Sequence, residues 1–163
     1  MCEGDKVQIY TLPMESLMEL IKVQLTEGDC AQLTVTGCSM LPMLHEGRDS
    51  VTLVPITGFL KKGDVILYQR KNGQYILHRI IRARDGSYIC CGDNQYMREP
   101  VEHSQVIAVM SAFVRKGRRY PLTNFGYRLY KAIWVNLFPL RKCYIFVRRK
   151  LSGLRRKIQK RKL

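Results

Sequence analysis

Residues 65–91 read VILYQRKNGQYILHRIIRARDGSYICC, and this stretch decides the fold class. Three runs rich in Val, Ile, Leu and Tyr are separated by Asn72-Gly73 and Asp85-Gly86. Those dipeptides close hairpins, because both residues tolerate the positive φ that a tight strand reversal demands. The chain is therefore expected to run up, down and up again as antiparallel strands. Toward the N-terminus, QLTVTG from Gln32 and SVTLVPI from Ser50 carry the same residue types between Gly, Pro and Asp boundaries; toward the C-terminus SQVIAVMSAFV from Ser104 does so too. Together they predict a mostly antiparallel β domain from about Ala31 to about Arg115.

The flanks differ in character. Pro13 to Thr26 sets Met14, Leu17, Met18, Ile21 and Leu25 near one face at helical spacing, with Gly28 just beyond as a stop. This predicts a short amphipathic helix packed on the domain. From Asn124 onward, aromatic and aliphatic residues alternate with Arg and Lys, which predicts two short basic amphipathic helices broken at Pro139. The resulting class is mostly β (α+β), in three parts: residues 1–30 with the helix, 31–119 as the β domain and 120–163 as a basic tail. No internal repeat and no nucleotide-binding glycine pattern is present.

Composition bounds the function. With 163 residues, 46% of them hydrophobic, the chain holds one domain's worth of core formers and is not disordered by composition. Residues 1–102 contain 11 Lys and Arg against 13 Asp and Glu, whereas residues 103–163 contain 17 and none. A nearly neutral domain thus precedes a strongly cationic half, whose expected partner is an anionic membrane surface, with nucleic acid the less favoured reading. Trp134, Phe138 and Phe146 are expected on the interfacial side of that tail. No basic segment leads into an apolar stretch at the N-terminus, and no window reaches the roughly 18 apolar residues of a spanning helix. A cytoplasmic protein, peripheral at the membrane, is the expectation. The six cysteines form no C-x-x-C pair and are expected to be reduced; His45, His78 and His103 show no ligand spacing with them, so neither metal nor organic cofactor is expected.

Chemistry is suggested first by residues 36–44, TGCSMLPML, where Ser39 follows a strand and enters a proline-containing turn. A serine held on rigid backbone beside a small Gly37 can meet an incoming peptide. By itself a turn serine is ordinary. The order of the motifs C-terminal to it is not: Gly63-Asp64-Val65-Ile66, then His78-Arg79-Ile80 after a strand, then Gly92-Asp93-Asn94, then Glu99-Pro100-Val101. This succession resembles the signal peptidase I and LexA-type superfamily of serine peptidases over roughly Leu33 to Val114. Within it the chain looks most like the endoplasmic-reticulum and archaeal type of signal peptidase, which places a histidine where bacterial signal peptidases and LexA-type repressors place a lysine base.

The chemistry of the residues and the resemblance assign the same roles. A serine hydroxyl needs a neighbouring base to take its proton, and imidazole suits that task. Ser39 is the expected nucleophile, His78 the general base and Asp93 the acidic partner that would fix the imidazole tautomer. Glu99 stands where the resemblance implies a second acidic residue, and Arg79 is expected to pair with a carboxylate in support. Gly37, Met40 and Pro42 are expected to shape the turn and the substrate side of the site. The resemblance implies that the Ser39 backbone N–H serves the oxyanion. Signal peptidases usually read S-G-S-M, with a hydroxyl two residues before the nucleophile, and this chain has Gly37 there; losing one oxyanion donor costs about 10²–10³ in rate. The function expected is a serine endopeptidase acting on a protein or leader peptide that adds as an extended strand. The alternative is a catalytically silent relative that binds peptide or docks at a membrane. A LexA-type regulator is disfavoured, because about 30 residues before the domain leave no room for a DNA-binding unit.

Overall fold

A computed structural model describes residues 13–136, 140, 141 and 143. Pairing in the central stretch obeys the turn chemistry. Strand β3 (Val65–Gln69) pairs antiparallel with β4 (Tyr75–Arg84), and β4 with β5 (Ser87–Cys91), across turns that hold Gly73 at φ +87 and Gly86 at φ +72. The remaining strands are β1 (Ala31–Thr34), β2 (Ser50–Val54), β6 (Glu99–Glu102), β7 (Val106–Arg115) and β8 (Arg118–Pro121). Their order in the sheet is β1-β2-β7-β3-β4-β5-β6. The long strand β7 pairs with β2 along one edge; along the other its first half takes β3 and its last residues take β8. All these pairings are antiparallel, so the mostly β class read from the sequence holds.

Side chains divide the sheet into two cores because successive residues of a strand face opposite ways. One cluster contains Leu33, Val51, Leu53, Val65, Leu67, Ala108, Met110 and Phe113, and against it packs α1 (Met14–Thr26) through Met18, Ile21 and Leu25. Each such side chain, once buried, contributes about 1.5–3 kcal/mol. The helix closes with Asp29 N–H on Gln24 O and Gly28 N–H on Leu25 O, the paired bonds of a Schellman stop. The second cluster holds Ile66, Tyr68, Ile80, Tyr88, Cys90 and Val101.

Helix α2 (Phe125–Asn136) comes after β8, and the Asn124 side chain caps it by accepting from Tyr127 N–H at 3.2 Å. The break expected at Pro139 lies outside the described residues, as do Phe138 and Phe146. Among the described residues, no helix is long and apolar enough to cross a membrane. The expectation of reduced cysteines is corrected at one position. Cys30 is disulfide-bonded, whereas Cys38, Cys90, Cys91 and Cys143 are free thiols. A disulfide needs only two sulfurs brought together in space, which sequence spacing does not reveal.

Candidate active site

Ser39 lies in the turn between β1 and β2, where Gly37 at φ +83 occupies left-handed backbone that a side chain would strain. That conformation accounts for glycine at this position. Beyond the serine, Met40 is buried in the first core, and a cis peptide joins Leu41 to Pro42. Ser39 itself is partly exposed and lines a small cavity of about 90 Å³ together with Met14, Met18, Leu33, Met40 and Leu77. Thus α1 and the edge strand β1 both border the serine.

His78 arrives from β4 and is buried. Register places Ile66 opposite His78, so Tyr68, two residues further along β3, lies diagonally across on the same face. The Tyr68 hydroxyl is 3.2 Å from His78 Nδ1 and donates to Glu99 Oε2 at 2.8 Å. Glu99 reaches this face from β6, opposite Cys90, and is gripped by Arg70 Nε at 2.5 Å and Nη2 at 2.7 Å. The Arg70 guanidinium, helped by Tyr68 and opposed by burial, holds the Glu99 carboxyl below its ordinary range. Burial, with Glu99 adding to it, pushes the Tyr68 hydroxyl far above its ordinary value.

These contacts fix the imidazole tautomer. A phenol has one proton, and the Glu99 carboxylate takes it. The Tyr68 oxygen can then only accept, so His78 Nδ1 carries the hydrogen and Nε2 the free lone pair. Burial drives the His78 pKa down to about 4, Arg70 adds to the effect, and Glu99 and Asp93 oppose it. The imidazole is neutral at pH 7.

Nε2 points toward Gly92. A Cβ there would lie 2.8 Å from the Ser39 carbonyl oxygen and 3.0 Å from His78 Nε2. Glycine is therefore what lets the serine turn and the histidine approach. The next residues of this turn clamp the Ser39 loop, with Asn94 N–H donating to Ser39 O at 2.7 Å and Asn94 Nδ2 to Cys38 O at 3.1 Å. Among the described residues, no hydrogen bond joins Ser39 Oγ to His78. In substrate-free sites that contact is often long and tightens on binding.

Asp93 does not occupy the Nδ1 position expected of it. His78 and Arg79 are adjacent on one strand and point to opposite faces, and Asp93 belongs with Arg79. The Arg79 Nε and Nη2 donate to the two Asp93 oxygens at 2.9 and 2.8 Å, all fully buried. Arg141 Nη2 adds a third contact at 3.1 Å and Tyr130 O–H a fourth at 3.0 Å. Trp134 donates its indole N–H to the Asp93 backbone oxygen at 3.0 Å. The expected interfacial side for Trp134 is thus corrected: the ring turns inward, stacked on Tyr130. The carboxylate partner expected for Arg79 is Asp93, while Tyr68, Arg70 and Asn94 are contacts the sequence reading missed. Asn94 stands in the Gly-Asp-Asn motif; Tyr68 and Arg70 can be found only from strand register.

The Peptidase S24-like family matches residues 5–114. The chain belongs to this family. The span contains Ser39, His78, Asp93 and Glu99, and it ends before α2, so three of the side chains around Asp93 in this S24-like protein come from beyond the matched region. No curated protein matches the chain.

Proposed function

We propose that this S24-like chain is a serine endopeptidase with Ser39 as nucleophile and His78 as general base, closest in its chemistry to the endoplasmic-reticulum and archaeal signal peptidases. The observation that carries the reading is the proton count along His78, Tyr68 and Glu99. It leaves a neutral imidazole with its basic nitrogen toward the Ser39 turn. Nε2 takes the Ser39 hydroxyl proton as Oγ attacks the scissile carbonyl carbon, and the Ser39 backbone N–H receives the developing oxyanion. As the tetrahedral adduct collapses, the imidazolium returns the proton to the departing amine. Water then hydrolyses the acyl-enzyme by the same base. In this scheme Tyr68 and Glu99 hold the orienting role that Asp93 was expected to play.

The substrate is a leader or protein segment in extended form. Strand β1 stands at one end of the sheet order, and the small apolar cavity beside Ser39 suits one small side chain of a strand added there. The cationic half of the chain draws the domain to an anionic membrane face where such segments are presented. The reading is tested by incubating the full chain with a library of extended peptides and sequencing the products. Cuts located after small apolar residues, and lost in Ser39→Ala, are expected; cleavage that persists in that variant would refute it, and no cleavage of any member would favour the silent relative.

A further inference from the structure

Helix α2 has two apolar faces, and only one is used by the domain. Tyr127, Tyr130 and Trp134 turn inward onto Arg79 and Asp93, with Tyr127 buried. On the opposite side, Phe125, Leu129 and Ile133 recur every four residues and are 79%, 50% and 46% exposed. Exposed Arg128 lies beside this stripe on the same side of the helix. At its N-terminal end the stripe adjoins a cavity of about 640 Å³ with Phe113, Tyr120 and Tyr127 in its wall beside Arg115, Lys116 and Arg118. Asn124 and Gly126, the neighbours of Phe125, line the same cavity.

We propose that this surface, α2 with the β7–β8 turn, is a docking face for an anionic phospholipid bilayer. Phe125, Leu129 and Ile133 enter the acyl boundary, while Arg115, Lys116 and Arg118 take headgroup phosphates at the cavity mouth. Charge selects the occupant. Residues 103–163 contain no acidic side chain, so two copies packed through this same face would meet like charge along the stripe. Chemistry then selects among polyanions: a nucleic acid would stack on aromatic rings and has no use for exposed Leu129 and Ile133, whereas a bilayer buries both. The proposal deepens the membrane reading of the cationic half by naming the face that inserts, and it is independent of catalysis.

The test uses the full chain and co-sedimentation with phosphatidylcholine vesicles, with and without phosphatidylglycerol. The wild type is expected to bind only the anionic vesicles. Leu129→Ser/Ile133→Ser, an uncharged change at exposed positions that leaves the thermal midpoint in place, is expected to weaken that binding by about tenfold or more while binding to heparin is unchanged. Arg115→Glu/Arg118→Glu is expected to weaken it comparably. Equal vesicle binding by the wild type and the Leu129/Ile133 variant would overturn the docking face and leave the membrane reading to the remaining basic tail. Absence of wild-type binding to anionic vesicles, or binding to nucleic acid alone, would overturn both.

Discussion

Replacing Tyr68 by Phe removes one oxygen and, with it, the acceptor that holds the hydrogen of His78 on Nδ1. The imidazole is then free to take the other tautomer, and acylation of Ser39 is expected to fall by roughly tenfold or more, with the His78 nitrogen shifts in NMR changing alongside. An unchanged rate would show that Tyr68 only packs. Because burial holds His78 at about 4, acylation should rise with pH through about 4 and stay level across the neutral range. A limb near 6.5 would mean a solvent-like histidine. The same depression has a definite sign for stability. The unfolded chain takes up the proton first, so His78's contribution is intact above about pH 6.5 and is lost as pH falls to about 4, which denaturation midpoints across that window would register. At Gly92, substitution by Ala forces a methyl against the Ser39 carbonyl and His78 Nε2, and should abolish acylation while the far-UV spectrum persists. Ser39 and His78 stand out as candidates in the sequence because the order of short motifs exposes them. Tyr68 does not, since its contact with His78 depends on which residues strand pairing sets diagonally across.

Asp93 binds elements together more than it serves the chemistry. It sits between Arg79 of β4 and Tyr130, Trp134 and Arg141 of the C-terminal region, with its side chain fully buried. Removing one member of a buried ion pair costs about 3–5 kcal/mol, because the charge left behind has neither partner nor water. Asp93→Ala is therefore expected to lower the chemical-denaturation midpoint sharply, whereas Ser39→Ala leaves it nearly unchanged. Equal stability of the two would contradict the tethering role. At this scale the Asn-Gly and Asp-Gly hairpins were plain in the sequence, and so was α1, whose apolar spacing is regular. Strands β6 (EPVE) and β8 (RRYP) were not, because charged, proline-containing edge strands lack the apolar pattern and are defined by the neighbours they pair with. Nor does helical period say which apolar face of α2 meets the domain, which is why Trp134 was misplaced.

As a whole molecule, the chain is an S24-like β domain whose candidate active-site turn is buttressed from outside the family-matched span. Residues Gly92 to Asn94 touch His78, the Ser39 loop and α2 at once. A chain ended at Leu122 should consequently lose both thermal stability and acylation; full activity there would show that α2 serves docking alone. The charge division was legible from composition, but the link between the cationic half and the Gly92–Asn94 turn was not, because it runs through single side chains brought together only by the fold. Activation of Ser39 by His78 is decided by intact-mass and peptide mapping after treatment with a serine-directed acylating probe at neutral pH. One adduct is expected, on Ser39, absent from Ser39→Ala and from His78→Ala. No adduct on the wild type, or equal labelling of His78→Ala, would contradict that activation.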